Sequence, residues 1–526
     1  MCPMSVPELD NWWWPQPAVV AHGQTFPRPL SLLVGLEFDP MLSEDWARLS
    51  MVQNQYGWKI NFKQDASLES QSYQLSIDQQ GATLIGCDKT ALFYGQLTLL
   101  QYLSLHAGES VWPSLRISDK PAYARRGALI DLGRTVSTLP MLKLLVRVLA
   151  RLRYNEMHLR LYDDELCNFT FEGLPFGAEN PFAMPVGALK ELADYANEHH
   201  VRLVPELESW GHVGSLVYHR PDLNGGIGMY GGHSFRTGDQ SVQLIGELSK
   251  QVLEALDDHA VLHLGFDEAN WYPDPQMGAA YSPEDLLLAL HHMRCNFEDR
   301  LGKAIELRIW ADHAGRQIPA AMRDRVILEP WQYWHKNEDQ IHHTIKTYSQ
   351  SNASWMMCLG QSQSQVRGAY RATRDFTTRA THVQNLQGVT IALWGWNHWS
   401  RHLYTLFNGA YYAWNPCARS LFCHEQDEEL FDLHVMPKML WWQSLSDDTS
   451  NKVLDAVGGP LVWNGRYVGG KQHGQPVAST VAHANTFPAW QYASQSTAHE
   501  VHDLVSQQSL MTAPIQTSET TSSGEQ

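Results

Sequence analysis

Short apolar segments alternate with longer amphipathic segments over the middle of the chain. Eight of the apolar segments are six or seven residues long and rich in Leu, Ile and Val, which is typical of strands buried on both faces. In chain order they read GALIDL, EMHLRL, VRLVPEL, VLHLGF, LRIWAD, VILEPW, SWMMCL and GVTIALW.

The segments between these strands have helical spacing, with the apolar residues on one face. They include MLKLLVRVLARL, VGALKELADYANEHH, VQLIGELSKQVLEALDD and PEDLLLALHHMRCNFEDRL. Eight strand-then-helix units over roughly 290 residues are what a (β/α)8 barrel requires. The pattern therefore predicts an α/β protein with a TIM barrel at residues 119–418.

A different rhythm precedes the barrel. Residues 30–106 contain the β-rich runs SLLVGLEF, WKINFK, SYQLSI and ATLIGC, followed by the helical run KTALFYGQLTLLQYLSLH. We predict a small α+β domain at residues 1–118. After the barrel we predict a helical extension at 419–500 and, because the last residues are polar, a disordered tail at 501–526.

Composition narrows the class of partner. The chain has 526 residues, 44% of them hydrophobic and 18% charged, as in globular proteins. Its 39 basic and 56 acidic residues give a net charge of −17, which disfavours nucleic acids and anionic membranes. No apolar run is long enough to span a bilayer, and the N-terminus lacks the basic and apolar regions of a secretory signal, so we expect a cytoplasmic protein.

Polar and aromatic residues follow the predicted strands where a barrel places its active site, at the carboxyl ends. Such a ring of carboxylates and flat aromatic side chains favours a sugar ligand, and no glycine-rich phosphate loop follows any strand. The ring comprises Asp163, Asp164, Glu206, Glu208, Asp267, Glu268, Asp312, Glu329, Trp331, Trp394 and Asn397.

The segment VLHLGFDEANW, residues 261–271, resembles the H-x-G-x-D-E signature of glycoside hydrolase family 20, the β-N-acetylhexosaminidases. The small domain and the segments ARRGALIDLGR, EMHLRLYDDE, PELESWGH and LWGW also follow the order of that family. The resemblance spans roughly residues 30–415.

The resemblance implies an exo-acting, retaining enzyme that removes terminal β-linked GlcNAc or GalNAc by substrate-assisted catalysis. Asp267 is then expected to polarise the acetamido N–H and to stabilise an oxazolinium intermediate. Glu268 is expected to act as the general acid and base. The choice between the C4 epimers stays open.

The same resemblance places Asp163 and His212 behind Glu268 as an acid/base support. It implies that Arg126 binds O3 and O4 of the sugar, with Arg125 as the competing assignment. It also implies that the hydroxyl of Tyr333 donates a hydrogen bond to the acetamido carbonyl. The expected substrate-binding set is Arg126, Trp310, Asp312, Glu329, Trp331, Tyr333, Trp394 and Asn397.

Four features depart from the family pattern. The segment DLGRTV lacks the histidine that often follows the arginine. Phe266 stands where a small residue is usual, Trp210 where a proline is common, and Asn397 where many members have a glutamate. The acid/base residues are all retained, so these departures indicate a divergent branch.

Two other functions are compatible with the residues: a double-displacement glycosidase with Glu206, Glu208 or Glu329 as nucleophile, or a non-catalytic glycan-binding barrel. The paired histidines at 199–200, 291–292 and 342–343 lack the spacing of a zinc site, and the expected mechanism needs no metal or cofactor. The expected partner is a glycan or glycoconjugate.

Overall fold

The computed structural model describes residue 15 and residues 17–416, apart from short gaps. These gaps lie at 35–37, 48, 50–51, 54–56, 135–136, 165, 179, 181–182, 228–232, 257–258, 270–281, 313–317, 320–321, 323–324, 334–337, 352, 362–368 and 395–398. The predicted C-terminal extension, the predicted tail and Asn397 therefore lie outside the described residues.

The first part of the chain forms a mixed seven-stranded sheet in the order β1-β7-β5-β6-β4-β2-β3. Its strands are β1 (Val19–Pro27), β2 (Ser31–Val34), β3 (Val52–Gln53), β4 (Trp58–Gln64), β5 (Tyr73–Asp78), β6 (Gly81–Gly86) and β7 (Val111–Asp119). Two helices accompany it, α1 (Ser43–Ala47) and α2 (Lys89–Leu105).

Alternation along the strands decides which face of this sheet is covered. In β5 the side chains of Tyr73, Leu75 and Ile77 are buried and those between them are exposed. Helix α2 packs on the sheet, and it begins where the side chain of Asp88 accepts the N–H of Ala91.

Eight parallel strands then close a barrel in the order β12-β15-β16-β17-β18-β19-β8-β9, which confirms the predicted fold. They are β8 (Arg125–Asp131), β9 (Glu156–Arg160), β12 (Arg202–Glu206), β15 (His259–His263), β16 (Ala304–Trp310), β17 (Val326–Glu329), β18 (Trp355–Gln361) and β19 (Leu386–Leu393). Two short pairs lie in the loops: β10 (Phe169–Thr170) with β11 (Met184–Pro185), and β13 (Asn224–Ile227) with β14 (His233–Phe235).

Helices follow the barrel strands. They are α3 (Leu139–Arg151), α4 (Ala188–Glu198), α5 (Gly214–Val217), α6 (Asp239–Glu254), α7 (Pro283–Leu301), α8 (Glu338–Ser349), α9 (Ala369–Ala380) and α10 (Trp399–Trp414). Four of them, α3, α4, α6 and α7, are those that the apolar spacing predicts. Single 3-10 turns occupy Pro40–Leu42 and Pro221–Leu223. Helix α7 shows why these segments start and stop: Ser282 and Asp285 form a capping box, and Gly302 ends the helix in a left-handed conformation.

The inside of the barrel carries ion pairs where many barrels carry aliphatic side chains. At its amino end, Arg308 donates two hydrogen bonds to Glu156, at 2.8 and 2.9 Å. Arg125 makes the same fork to Glu306, at 2.8 and 2.7 Å. The hydrophobic core therefore lies mainly between the strands and the surrounding helices.

The sheet and the barrel meet through a buried polar cluster around Asp119. Its carboxylate accepts hydrogen bonds from Tyr73, Arg153 and the indole of Trp414. The guanidinium of Arg153 also lies 4.5 Å from the ring of Trp414, at the end of α10. Within the described residues, no helix combines the length and the apolar composition needed to cross a lipid bilayer.

Candidate active site

The loop after β15 carries Asp267 and Glu268 at the carboxyl end of the barrel. The backbone there is unusual for side chains with a Cβ, with φ of +90° at Phe266 and +48° at Glu268. Gly265, at φ +64°, begins the turn. Backbone strain of this kind persists where surrounding contacts fix it, and it is concentrated at functional sites.

His212 connects the second strand of the barrel to this loop. Its Nε2 lies 3.1 Å from Oε2 of Glu268 and 3.5 Å from Oδ2 of Asp267. Its Nδ1 lies 3.2 Å from Asp163 and 3.0 Å from Asp164. The structure thus brings together Asp163, His212 and Glu268 as the sequence predicts, and it adds Asp164.

The charged forms of His212 and of the carboxylates around it stabilise one another. Burial opposes a positive charge on His212, but Asp163, Asp267 and the hydrogen bonds of Asp163 and Asp164 raise the pKa of His212 well above its ordinary value. Burial likewise opposes ionisation of Asp163, yet Arg134, Arg160 and His212 lower its pKa to about 2. A charged imidazole donates from both nitrogens, so it can hold Asp164 and Glu268 at once.

Arg134 is the arginine that reaches this end of the barrel from the first strand. Its guanidinium donates to Asp131 at 3.1 Å and to Asp163 at 2.8 Å, and it lies 5.7 Å from the ring of Trp394. Sequence reasoning missed it. The available signal was its position, because Arg134 follows the carboxyl end of β8.

The prediction that Arg126 binds the substrate is wrong. Arg126 lies at the amino end of β8, where its guanidinium donates to the carbonyls of Tyr123 and Arg153 and to the hydroxyl of Tyr94. It is almost completely buried. The competing assignment, Arg125, lies at the same end and pairs with Glu306. Strand direction excludes both residues from the mouth.

Aromatic side chains stand beside the paired carboxylates. The ring of Trp331 stacks on that of Tyr333 at 5.5 Å, and the indole of Trp394 donates to the Tyr333 hydroxyl at 2.6 Å. Trp331 and Trp394 are partly open, whereas Trp310 is only 1% exposed and lies 5.9 Å from Trp394. Trp310 therefore supports the aromatic wall from behind.

Asp312 joins the wall to the catalytic loop. Its carboxylate accepts the indole N–H of Trp331 and, at 3.3 Å, the backbone N–H of Glu268. Desolvation by its neighbours and the negative charge of Asp267 raise the pKa of Asp312 to about 7. The carboxylate thus helps to fix Glu268 in its left-handed conformation.

Three further carboxyl groups lie below the mouth and are completely buried: Glu206, Glu208 and Glu329. Glu206 accepts the indole N–H of Trp310 at 2.6 Å, and Glu329 accepts the hydroxyl of Thr390 and lies 3.5 Å from His263. The predicted contact of Glu329 with substrate is therefore corrected, because its carboxylate is enclosed by protein.

Two departures from the family pattern form one packing unit. Trp210 and Phe266 are both buried, and their ring centroids lie 5.3 Å apart in an edge-to-face arrangement. The large residue after β12 thus fits the large residue after β15.

Groups with the chemistry of metal ligands occur beneath the site. One such group, in which the ligand atoms lie within 4.8 Å of one another, is His158, Glu206 and His263. Protein partners already occupy two of them: His158 lies 2.9 Å from Glu206, and Nδ1 of His263 accepts the N–H of Gly265. These contacts fit a hydrogen-bonded network without a cation.

An eight-stranded parallel barrel with paired carboxylates, an imidazole relay and aromatic walls at its carboxyl end defines a glycoside hydrolase. The family model described as glycosyl hydrolase family 20, catalytic domain, matches residues 123–395. The model for domain 2 of the same family matches residues 43–120. The chain belongs to glycosyl hydrolase family 20.

Relatives match the chain over parts of their length. A beta-hexosaminidase from Akkermansia muciniphila is 28% identical over 229 residues, which are 39% of this chain and 46% of the relative. One from Porphyromonas gingivalis is 25% identical over 175 residues, which are 30% of this chain and 22% of the relative. The chain thus matches less than half the length of either relative.

Solved structures show the same fold. A beta-N-acetylhexosaminidase of the family from Streptomyces coelicolor superposes with a TM-score of 0.62 at 16% identity, over 85% of this chain and 98% of that chain. At this identity the likeness establishes the architecture, and the chemistry has to be argued from the site.

Proposed function

We propose that the protein is an exo-acting, retaining β-N-acetylhexosaminidase that hydrolyses terminal β-linked GlcNAc or GalNAc. The observation that carries the proposal is the contact of His212 with Glu268 at 3.1 Å, backed by Asp163 and Asp164 at 3.2 and 3.0 Å. A group that must give and then take a proton needs such a polarised partner.

In the first step the acetamido oxygen of the substrate forms a bond to C1 while the bond from C1 to the aglycone oxygen breaks. Glu268 gives its proton to that leaving oxygen. Asp267 accepts a hydrogen bond from the acetamido N–H and balances the positive charge of the oxazolinium. In the second step water attacks C1, its proton passes to Glu268, and the ring of the intermediate opens with retention.

Unused hydrogen-bonding capacity supports this role for Asp267. Its Oδ1 is buried without a hydrogen-bond partner among the described residues, while its Oδ2 faces His212 and Arg160 at 3.5 Å each. A buried acceptor without a partner is costly, so an N–H donor from a ligand would be favoured there.

Arg134, Trp331, Trp394 and Tyr333 complete the proposed sugar site. We assign to Arg134 the contact with the sugar hydroxyls that the family resemblance gave to the arginine of the first strand, because its guanidinium lies beside Asp163 and Trp394. We assign to the hydroxyl of Tyr333, which accepts the indole N–H of Trp394 at 2.6 Å, the orientation of the acetamido carbonyl.

The double-displacement alternative requires an accessible nucleophile. Glu206, Glu208 and Glu329 are each 0% exposed, so none of them offers an oxygen to C1 of a sugar. This burial favours nucleophilic attack by the substrate's own amide.

The proposal is tested by comparing aryl β-GlcNAc, aryl β-GalNAc and aryl β-glucoside with the full chain. We expect turnover of one or both acetamido sugars, no turnover of the glucoside, and competitive inhibition by a thiazoline that mimics the oxazolinium. Equal hydrolysis of the glucoside would contradict substrate assistance. Binding of the acetamido sugars without any turnover would instead identify a glycan-binding barrel.

A further inference from the structure

A buried guanidinium lies beneath Asp267. Arg160, at the end of β9, is completely enclosed. Its Nε lies 2.6 Å from Asp163, and its Nη1 lies 2.8 Å from Glu208, 3.1 Å from Glu206 and 3.5 Å from Asp267. Carboxyl groups from three different strand ends therefore share one guanidinium.

The carboxyl groups around Arg160 outnumber the cations that contact them. Arg160 contacts four carboxyl groups, and those of Glu206, Glu208 and Asp267 lie within 4.8 Å of one another. Arg134 and His212 add positive charge at Asp163 and Asp267, which still leaves more carboxyl groups than cations. Separate negative charges at such distances in a buried site are strongly unfavourable. One member of the cluster is therefore expected to hold a proton.

Glu208 is the member that the surroundings select. Its carboxyl is fully buried against the backbone of Gly265, so closely that a Cβ at that glycine would lie 2.1 Å from Oε2. Burial and the charges of Asp267 and Glu206 raise the pKa of Glu208 well above its ordinary value, although Arg160 opposes this. Its polar neighbours include the guanidinium of Arg160, whose Nη1 lies 2.8 Å from Oε1, and the carboxyl of Glu206, with which a protonated Glu208 can share a hydrogen bond.

We propose that Arg160 is a positioning residue that fixes the carboxylate of Asp267 and balances its charge, while Glu208 stays neutral beside it. The inference rests on the proposed function, because it concerns how Asp267 meets the acetamido group. Arg160 and His212 each lie 3.5 Å from Oδ2 and so fix a carboxylate whose side chain is 11% exposed, while Oδ1 has no hydrogen-bond partner among the described residues.

The cluster is enclosed by other titratable groups, whose responses must be separated from that of Glu208. Among the described residues, those that interact with Asp267 or Glu208 include Glu206, Tyr162, His212, Asp312, Tyr333 and Cys358. Asp163 meets the cluster through Arg160. Comparing each variant with the wild type over the same pH range cancels their common contribution.

The test uses R160Q, E208Q and the double variant R160Q/E208Q in the full chain. In R160Q we expect kcat to fall roughly 10²-fold, as on removal of other preorganised electrostatic groups, with a smaller change in KM. The low-pH side of the pH profile of kcat/KM, its acid limb, should shift to higher pH by about one unit. The reason is that the carboxyl groups bind a proton more readily when the cation of Arg160 is absent. Because a neutral Glu208 contributes no repulsion, the double variant should have the melting temperature of R160Q at neutral pH and keep its displaced acid limb. Recovery of thermal stability in the double variant would show that Glu208 carries a charge.

E208Q has the opposite expectation, because an amide resembles a neutral acid in shape and charge. Its kcat should stay within about threefold of the wild type, since no charge is removed. Because folding raises the pKa of Glu208, its contribution to the stability of the wild type is full below the pKa of an unfolded glutamate. That contribution is lost as the pH rises toward the pKa of Glu208 in the folded protein. The glutamine of E208Q cannot ionise, so the melting temperature of E208Q minus that of the wild type should increase as the pH is raised from about 5 to 8.

The control removes the comparable buried pair at the other end of the barrel, with R308Q/E156Q. We expect it to lower the melting temperature while the acid limb of the folded enzyme stays in place. An unshifted acid limb with near-normal kcat in R160Q would overturn the role of Arg160. A lower melting temperature of E208Q at pH 7 would show that Glu208 is a charged partner of Arg160.

The unfolding measurements keep this inference separate from the proposed function. If the wild type failed to hydrolyse any acetamido sugar, the proposed function would fall. The comparison of wild type and E208Q by thermal unfolding against pH would still decide the charge of Glu208.

Discussion

His212 and Glu268 face each other from two left-handed backbone positions, with φ of +50° and +48°. Neither residue type favours this region, so their conformations depend on the surrounding hydrogen bonds. Asp164 supplies some of these bonds, since its carboxylate accepts the N–H groups of Gly214 and His233 at 2.9 and 2.8 Å. Asp164 thus holds the loop of His212 through backbone groups as well as through the imidazole, and the backbone N–H of Glu268 is held by Asp312.

Substitution of Glu268 by Gln and of Asp267 by Asn should give different kinetic patterns. In E268Q, turnover of substrates with poor leaving groups should fall by roughly 10²–10⁴-fold, because proton transfer to the leaving oxygen is lost. Activated aryl glycosides, which need less protonation, should be affected less in the first step. In D267N both substrate types should lose activity, because stabilisation of the oxazolinium is common to them.

The measurement is kcat/KM for each variant with a nitrophenyl glycoside and with a natural disaccharide, with circular dichroism as the control for folding. Near-normal rates of D267N on both substrates would remove Asp267 from the mechanism. Equal loss on both substrates in E268Q would argue against its assignment as the general acid.

At the level of strands and helices, much of the architecture follows from the sequence. The apolar runs GALIDL and SWMMCL correspond to β8 and β18, because burial on both faces leaves a continuous apolar signal. The motif likewise locates Asp267 and Glu268, since local spacing is what a motif records.

The wrong predictions concern the end of a strand at which a residue lies and how deeply its side chain is buried. The spacing of apolar residues encodes neither. Arg126 lies at the amino end of β8 and Arg134 follows its carboxyl end, and only the rule that sites lie at carboxyl ends separates them. Glu329 and Asp312 both close strands, yet one is enclosed by Thr390 and His263 while the other contacts the catalytic loop. Arg160 gave no signal, because its importance arises from contacts with carboxyl groups at two other strand ends.

Two glycines with the same φ of +64° allow a test of the turn after β15. In Gly302→Ala the new Cβ meets nothing within 4 Å, so only the backbone cost of about 1 kcal/mol is expected. In Gly265→Ala the Cβ would lie 2.1 Å from the buried carboxyl of Glu208. The loop that carries Asp267 and Glu268 must then move, and misplacement of catalytic groups should lower kcat roughly tenfold or more.

Thermal unfolding and steady-state kinetics of the two variants provide the comparison. Gly302→Ala should lose a little stability and keep its kcat, whereas Gly265→Ala should lose both. If Gly265→Ala kept the wild-type kcat, the turn would not position the carboxylates as described.

Across the whole molecule, the N-terminal sheet and the barrel are joined by a buried charged cluster around Asp119. Asp119 ends the last strand of the N-terminal sheet, and its partners Arg153 and Trp414 belong to the barrel. Breaking a buried ion pair by removing one partner leaves an uncompensated charge and is much more costly than losing an exposed pair.

Asp119→Ala should therefore lower the free energy of unfolding by about 3–5 kcal/mol, as measured by denaturant titration. The neighbouring pair of Lys120 and Glu69 serves as the control, because its side chains are 52% and 73% exposed. Glu69→Ala should have little measurable effect. Equal effects of the two substitutions would mean that the contact between sheet and barrel contributes little to stability.

The edge-to-face pair of Trp210 and Phe266 also constrains how this sequence can diverge further. The two rings fill one space behind the catalytic loops, so truncation of either ring to Ala leaves a void that costs about 3–5 kcal/mol. A lineage that drifts from this pair toward small residues passes through a poorly folding intermediate unless both codons change together. The two positions are therefore expected to be inherited as a unit.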